Sequence, residues 1–178
     1  MTGTDVLLSI PEHLKKDPMA LFSSHKQIYH MILLLGLMSA GLLAAAFAFE
    51  IFGGSLPCKL CIWQRWPHGL IALVALLGLA ALRPNLVFLA IGLLALGNAG
   101  IAFYHVGVEQ GLWPGPASCS GGLDNSLSSS AMLDLLLATP VIRCDEIAWQ
   151  FLGLSMAGWN MLFSLAQAGL AGKMLLRP

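Results

Sequence analysis

Apolar residues fall along this chain in long runs. They do not show the alternation of a half-buried strand or the one-sided period of a surface helix. A run of about 20 residues crosses the hydrocarbon of a bilayer. Four stretches approach or exceed that length, at about 29–49, 63–82, 86–104 and 147–172, and each reads as a membrane-spanning helix. Spans two and three are joined only by Arg83-Pro84-Asn85. Proline ends the preceding helix, and so short a link makes the two spans an antiparallel hairpin. Small residues recur four apart, at Gly36/Ala40, Gly41/Ala45, Ala95/Ala99, Gly153/Ala157 and Ala168/Gly172. That spacing lets helix backbones approach closely in lipid. The expected fold is an all-α membrane protein, a four-transmembrane-helix bundle. It divides into a tail (1–28), a helical membrane domain (29–172) and a short C-terminal tail (173–178).

The polar breaks give the orientation. Lys15, Lys16, Lys26, Arg83, Lys173 and Arg177 lie on one side of the expected bundle, and Lys59, Arg65 and Arg143 on the other. Lys and Arg concentrate on the cytoplasmic side, so both termini are expected there. The breaks at about 50–62 and 105–146 are then extracytoplasmic loops. Residues 14–22 could lie along the membrane surface, and Leu127–Ala138 reads as a short interfacial helix ended by Pro140. Ala46-Phe47-Ala48 resembles a signal cleavage site, but the run before it is longer than a signal-peptide core, so it is read as a retained helix. Composition agrees. The chain is 57% hydrophobic and 10% charged, against about 25% charged in soluble domains. With a formal net charge of zero and no basic stripe, it offers nothing to a nucleic acid.

All four cysteines fall in the two breaks assigned to the same membrane face. Cys58 and Cys61 form a CxxC within Pro57-Cys58-Lys59-Leu60-Cys61, and Cys119 and Cys144 lie in the longer break. Four cysteines allow three pairings, and sequence does not choose among them. Two inert bridges are one reading and a Cys₄ zinc site another. Against the first, a CxxC bridge closes a tiny ring and gains little loop-closure entropy, which makes it a poor staple and a good redox couple. Arg65 follows Cys61 by one helical turn, where its charge would favour a thiolate and an electron-rich acceptor oxygen; the alternative is an interfacial arginine reaching for water. The chain has no dinucleotide, haem or cluster fingerprint, which leaves a lipid-soluble quinone as the acceptor. His68 and His105 could border its pocket, although a satisfied interfacial histidine is the commoner case. Trp63, Trp66, Tyr104, Trp113, Trp149 and Trp159 read as an aromatic belt, and Glu50, Glu109 and Glu146 as solvated charges.

Over about residues 29–172 the chain resembles the bacterial disulfide bond formation protein B (DsbB) family. The resemblance rests on Pro57-Cys-x-Leu-Cys61 followed by Arg65. It rests also on the stretch from Cys144 through Glu146 and Trp149 to Phe151-Leu-Gly-Leu-Ser-Met156 and Trp159. Tyr104-His105 and the Gly/Pro-rich approach to Cys119 are similar too, whereas the long N-terminal tail departs from the pattern. The resemblance implies an inner-membrane thiol oxidase that reoxidises a periplasmic thioredoxin-fold, DsbA-type partner. Cys119 would be attacked by the partner's thiolate with Cys144 leaving, and Cys144 would then attack Cys58. Cys61, supported by Arg65, would face ubiquinone or menaquinone. A vitamin K epoxide reductase-like relay, a paralogue with a dedicated partner, and a metal-binding or structural membrane protein are the alternatives.

Overall fold

The computed structural model describes residues 18–80, 83–116 and 142–177. Cys119 and the short helix expected at 127–138 lie outside them. The described chain is mostly helical: α1 (Pro18–Ile51), α2 (Lys59–Ala80), α3 (Pro84–Glu109), a hairpin of β1 (Gln150–Phe151) and β2 (Leu154–Ser155), and α4 (Met156–Leu175). Among the described residues, three helices are long and apolar enough to cross a membrane: His25–Ile51, Lys59–Ala80 and Pro84–Glu109.

Local chemistry explains the helix ends. Pro84 occupies the first turn of α3, where its missing N–H costs no helical bond. Helix α2 begins four residues earlier than the apolar run suggested, so Cys58 stands at its N-cap and Cys61 in its first turn rather than in a loop. Helix α3 runs five residues past the expected end and carries His105 and Glu109 as helical residues. The fourth apolar stretch, expected to be helical from 147, becomes so only at Met156. Before it, Leu152 and Gly153 both take positive φ (52° and 79°), which closes a two-residue hairpin. Gly153 is therefore a turn residue and not a helix-contact glycine. Ser155 caps α4, its Oγ accepting from the Gly158 N–H at 3.1 Å.

Helix α2 packs between α1 and α3, and α3 packs along α4. At Gly36 an added Cβ would stand 2.6 Å from Ala75 Cβ, so α1 and α2 meet at a contact only glycine allows. Toward the α2–α3 link the core is apolar, built from Ile32, Leu35, Ile71, Phe88 and Ile91 with Ala171 and Met174. The outer faces are apolar as well: Leu37, Leu76, Leu77, Leu93 and Leu96 are 54–66% exposed. A bundle in water could not present so large an apolar face, whereas lipid is an indifferent solvent for it.

Candidate redox site

The first turn of α2 builds the centre of the site. Cys58 immediately precedes the helix, and its carbonyl accepts the first helical bond from the Ile62 N–H at 3.1 Å. Its Sγ accepts the Cys61 N–H at 3.2 Å. Cys58 thus does with sulfur what a Ser or Asp oxygen does at a helix N-cap. Leu60 between the two cysteines is fully buried and anchors the turn. The two sulfurs are free thiols 2.8 Å apart, against about 2.05 Å in a disulfide.

Helix α3 brings the second component. His105 Nε2 stands 3.6 Å from Cys58 Sγ, and its Nδ1 is 2.8 Å from Gln64 Nε2. One turn on, Glu109 Oε1 lies 3.9 Å from His105 Nε2, and Glu109 Oε2 accepts the Ser155 hydroxyl. On distance alone either sulfur could donate to the other. The Cys61 N–H and His105 Nε2 both converge on Cys58, which makes Cys58 the better acceptor. Its thiol is pushed down to about 4 from the usual 9.0. The largest cause is the hydrogen bond from Cys61; burial opposes it, and His105 adds to it through a hydrogen bond.

Cys144 completes the centre. It is disulfide-bonded, 1% exposed, and packed in one cluster with Cys58, Leu60 and Val108, with Cys61 and Trp113 at the edge. Trp113 closes over the end of α3, its Nε1 donating to the Tyr104 carbonyl at 2.8 Å. The Tyr104 hydroxyl in turn donates to the Pro114 carbonyl at 2.8 Å.

Beside the cysteines opens a cavity of about 610 Å³. Cys58, Cys61, Gln64, Arg65, His68 and His105 contribute to its wall, and most of the rest is apolar. Arg65 and both histidines are therefore brought to the cysteines' cavity. Arg65 is not a bare cation there, because its guanidinium pairs with Glu50 at 2.6 Å and lies 4.7 Å over the Phe47 ring. Of the acids expected in water, Glu50 is partly exposed and holds Arg65, whereas Glu109 is buried, its side chain only 5% exposed. Glu146 is exposed, as its position suggested. The volume and apolar walls, with a few convergent polar groups, suit a flat lipid-soluble ring. Cys58, Cys61 and His105 also place their ligand atoms within 4.8 Å of one another. Ligands about 2.3 Å from a tetrahedral zinc stand roughly 3.8 Å apart, so the two sulfurs would have to separate to share one.

Deeper in the bundle is a polar network that hydropathy runs conceal. Ser39, Gln64, His68, Asn98, Ser164 and Gln167 are all buried. His68 Nε2 meets Asn160 Oδ1 at 2.7 Å, and Asn160 Nδ2 donates to Gln64 Oε1 at 2.5 Å. A signal for this network was present in the sequence. Gln64/His68 and Asn160/Ser164/Gln167 fall at helical spacing, each set on one face of its helix, and polar groups inside a span are costly unless paired.

Residues 29–174 match the family model described as Disulfide bond formation protein DsbB. The chain is 37% identical to Disulfide bond formation protein B of Methylococcus capsulatus over 136 residues, covering 72% of this chain and 83% of that protein. It is 34% identical to Disulfide bond formation protein B of Marinobacter nauticus over 139 residues (73% and 81%) and of Xanthomonas euvesicatoria over 145 residues (76% and 83%). No solved structure matches. The chain belongs to the DsbB family: it is a multi-pass membrane protein of disulfide bond formation.

Proposed function

We propose that this chain is a quinone-linked thiol oxidase of the bacterial inner membrane that reoxidises a periplasmic, DsbA-type dithiol partner. In this reading residues 29–172 form the membrane domain, and α4 is its fourth span. Both termini are cytoplasmic and both cysteine segments periplasmic. The observation that carries the reading is the placement of a free Cys58/Cys61 pair between a buried, disulfide-bonded Cys144 and a largely apolar cavity.

The residues act in sequence by thiol–disulfide exchange, which keeps the number of disulfides constant at each step. Cys119 is the disulfide partner we assign to Cys144. The incoming partner's thiolate attacks Cys119 and forms a mixed disulfide, with Cys144 leaving as thiolate. The partner's second thiol resolves the mixed disulfide and departs oxidised. Cys144 attacks Cys58 of the oxidised CxxC, and Cys61 leaves as thiolate. Packing of Cys144 in the Cys58 cluster supports that transfer. Its outcome, with the Cys119–Cys144 bond re-formed, is a reduced CxxC beside an oxidised Cys144, the combination found here. A quinone supplies the acceptor chemistry, taking two electrons and two protons. Cys61, Arg65, His68 and His105 are the cavity residues proposed to hold it.

The test is anaerobic quinone reduction by a reduced thioredoxin-fold donor, run on the unsubstituted protein and on each single cysteine-to-serine variant. Full activity in Cys61→Ser would refute the assignment. Cys144→Ala should accumulate a mixed disulfide on Cys119, and the protein trapped there identifies the partner.

A further inference from the structure

The buried polar groups form a line, and their chemistry gives the line a direction. Gln167 Nε2 donates to Ser39 Oγ at 2.8 Å. Ser39 has one proton to give, and its next neighbour is His68 Nδ1 at 3.2 Å. If Nδ1 accepts, neutral His68 carries its proton on Nε2, which faces Asn160 Oδ1 at 2.7 Å. Asn98 is a side branch whose amide nitrogen lies 3.0 Å from the same Nε2. That amide donates to Ser164 Oγ at 2.9 Å and to Asn160 Oδ1 at 3.3 Å. Asn160 Nδ2 donates to Gln64 Oε1 at 2.5 Å, which leaves the Gln64 amide N–H for His105 Nδ1 at 2.8 Å. His105 Nδ1 then accepts, and its proton is on Nε2, facing Cys58 Sγ at 3.6 Å. No link along the line requires a group to accept against its chemistry. Gln167 Oε1, at the head, is buried without a partner among the described residues, as befits the start of a chain that nothing feeds.

We propose that this one-directional chain, Gln167 to Ser39, His68, Asn160, Gln64 and His105, ends on a Cys58 thiolate and makes Gln64 and Asn160 positioning residues for chemistry at the CxxC. Hydrogen bonds aligned head to tail polarise one another, so each donor upstream strengthens the last one. The proposal rests on reading the site as a dithiol oxidised in place. The pair is then Cys58 thiolate and Cys61 thiol. Forming their bond releases two electrons and the Cys61 proton to a quinone-class acceptor, which takes its second proton from water. Other titratable or charged groups around Cys58 are Cys61 and Arg65 on α2, the latter paired with Glu50 of α1, His105 and Glu109 on α3, and Arg143 and Glu146 from the segment before the hairpin. Arg143 is engaged with Asp145 and Glu146. Glu109 turns its oxygens to His105 and Ser155 and not to Cys58, so the chain through His105 is the donor route that reaches Cys58 from inside the bundle.

The test uses the full chain in detergent micelles, carrying Cys61→Ser and kept free of reductant so that Cys144 stays bridged. The rate of Cys58 alkylation by iodoacetamide is followed against pH by mass spectrometry. Gln64→Leu and Asn160→Leu should each raise the half-point by about one pH unit, a roughly tenfold slower rate below both half-points. Asn98→Leu is the control: Asn98 is equally buried and meets His68, Asn160 and Ser164, but it is a branch and not a link of the line. Equal shifts in all three variants, or no shift in the first two, overturn the proposal. Imidazole ¹⁵N spectra of the chain without leucine substitutions give a second, independent readout. A proton on His105 Nε2 is expected, and one on Nδ1 overturns the chain even if a leucine variant fails to fold. Alkylation needs neither quinone nor partner, so failed quinone reduction would sink the function proposed above and leave this result standing.

Discussion

Replacing Gly107 by alanine sets two effects of opposite sign against each other. Gly107 is buried near the C-terminal end of α3, between His105 and Glu109. Helix propensity favours alanine there by about 1 kcal/mol. Packing opposes it: the new Cβ would stand 1.9 Å from Trp113 Cζ2 and 2.2 Å from Cε2. Those are ring atoms, so the whole indole must move. Movement breaks the bond from Trp113 Nε1 to the Tyr104 carbonyl and the stack on Tyr104, whose ring centroid is 6.1 Å away. The hydrogen bond contributes about 1 kcal/mol and the aromatic contact about 0.5–1.5 kcal/mol, and overpacking adds about 1–3 kcal/mol. After the propensity gain, a net loss of roughly 1.5–4.5 kcal/mol remains. Because Trp113 edges the Cys58/Cys144 cluster, the loss is local to the site. Thermal unfolding in micelles should show the destabilisation, and the Cys144 disulfide should be reduced faster by an external thiol. Adding Trp113→Ala should abolish the penalty, since the added methyl group then has room. A Gly107→Ala protein as stable as its parent, with Cys144 equally protected, would show that the indole does not close this end of the helix.

Other perturbations test other parts of the site. The depressed Cys58 thiol carries a sign: between about pH 4 and the unfolded value near 9 the unfolded chain binds a proton that the folded one does not, so this group's contribution to stability grows as pH rises and is lost as pH falls through about 4. Denaturant titration of the reduced protein should therefore show a stability slope over that window that disappears in Cys58→Ser. Ser155→Ala removes the cap of α4 and the hydroxyl that Glu109 accepts, and should cost about 2–3 kcal/mol in unfolding titrations; a loss under about 0.5 kcal/mol would mean that neither bond matters. Glu50→Gln removes the anion beside Arg65. A partly exposed pair contributes only about 0.2–1 kcal/mol, so stability should barely change while the KM for a soluble quinone analogue falls; an unchanged KM would separate Arg65 from the acceptor.

Several site features are legible in the sequence alone. Pro57-Cys58-Lys59-Leu60-Cys61 is a contiguous signal, and Arg65 and His68 follow at helical spacing. Their arrival at one cavity wall follows from the 3.6-residue period once a helix is assumed. The helix boundaries were less legible. Apolar runs mark where lipid is tolerated, not where hydrogen bonding starts, so α2 and α3 both extend beyond their runs into polar sequence. That difference moved Cys58 from a loop to an N-cap and moved His105 and Glu109 from a loop onto a buried helical face.

Solvent, class and family follow from run length, composition and short motifs, because none of these needs a partner elsewhere in the chain. Tertiary structure decided which sulfur is the better acceptor, that Glu109 is buried, that Cys144 packs against Cys58, and that amides from different helices join in one line. Each of those facts depends on contacts between residues far apart in sequence: 47 positions separate Cys58 from His105, 96 separate Gln64 from Asn160 and 128 separate Ser39 from Gln167. Local periodicity tells which face of a helix a residue occupies. Only the packing of one helix against another tells what that face will meet.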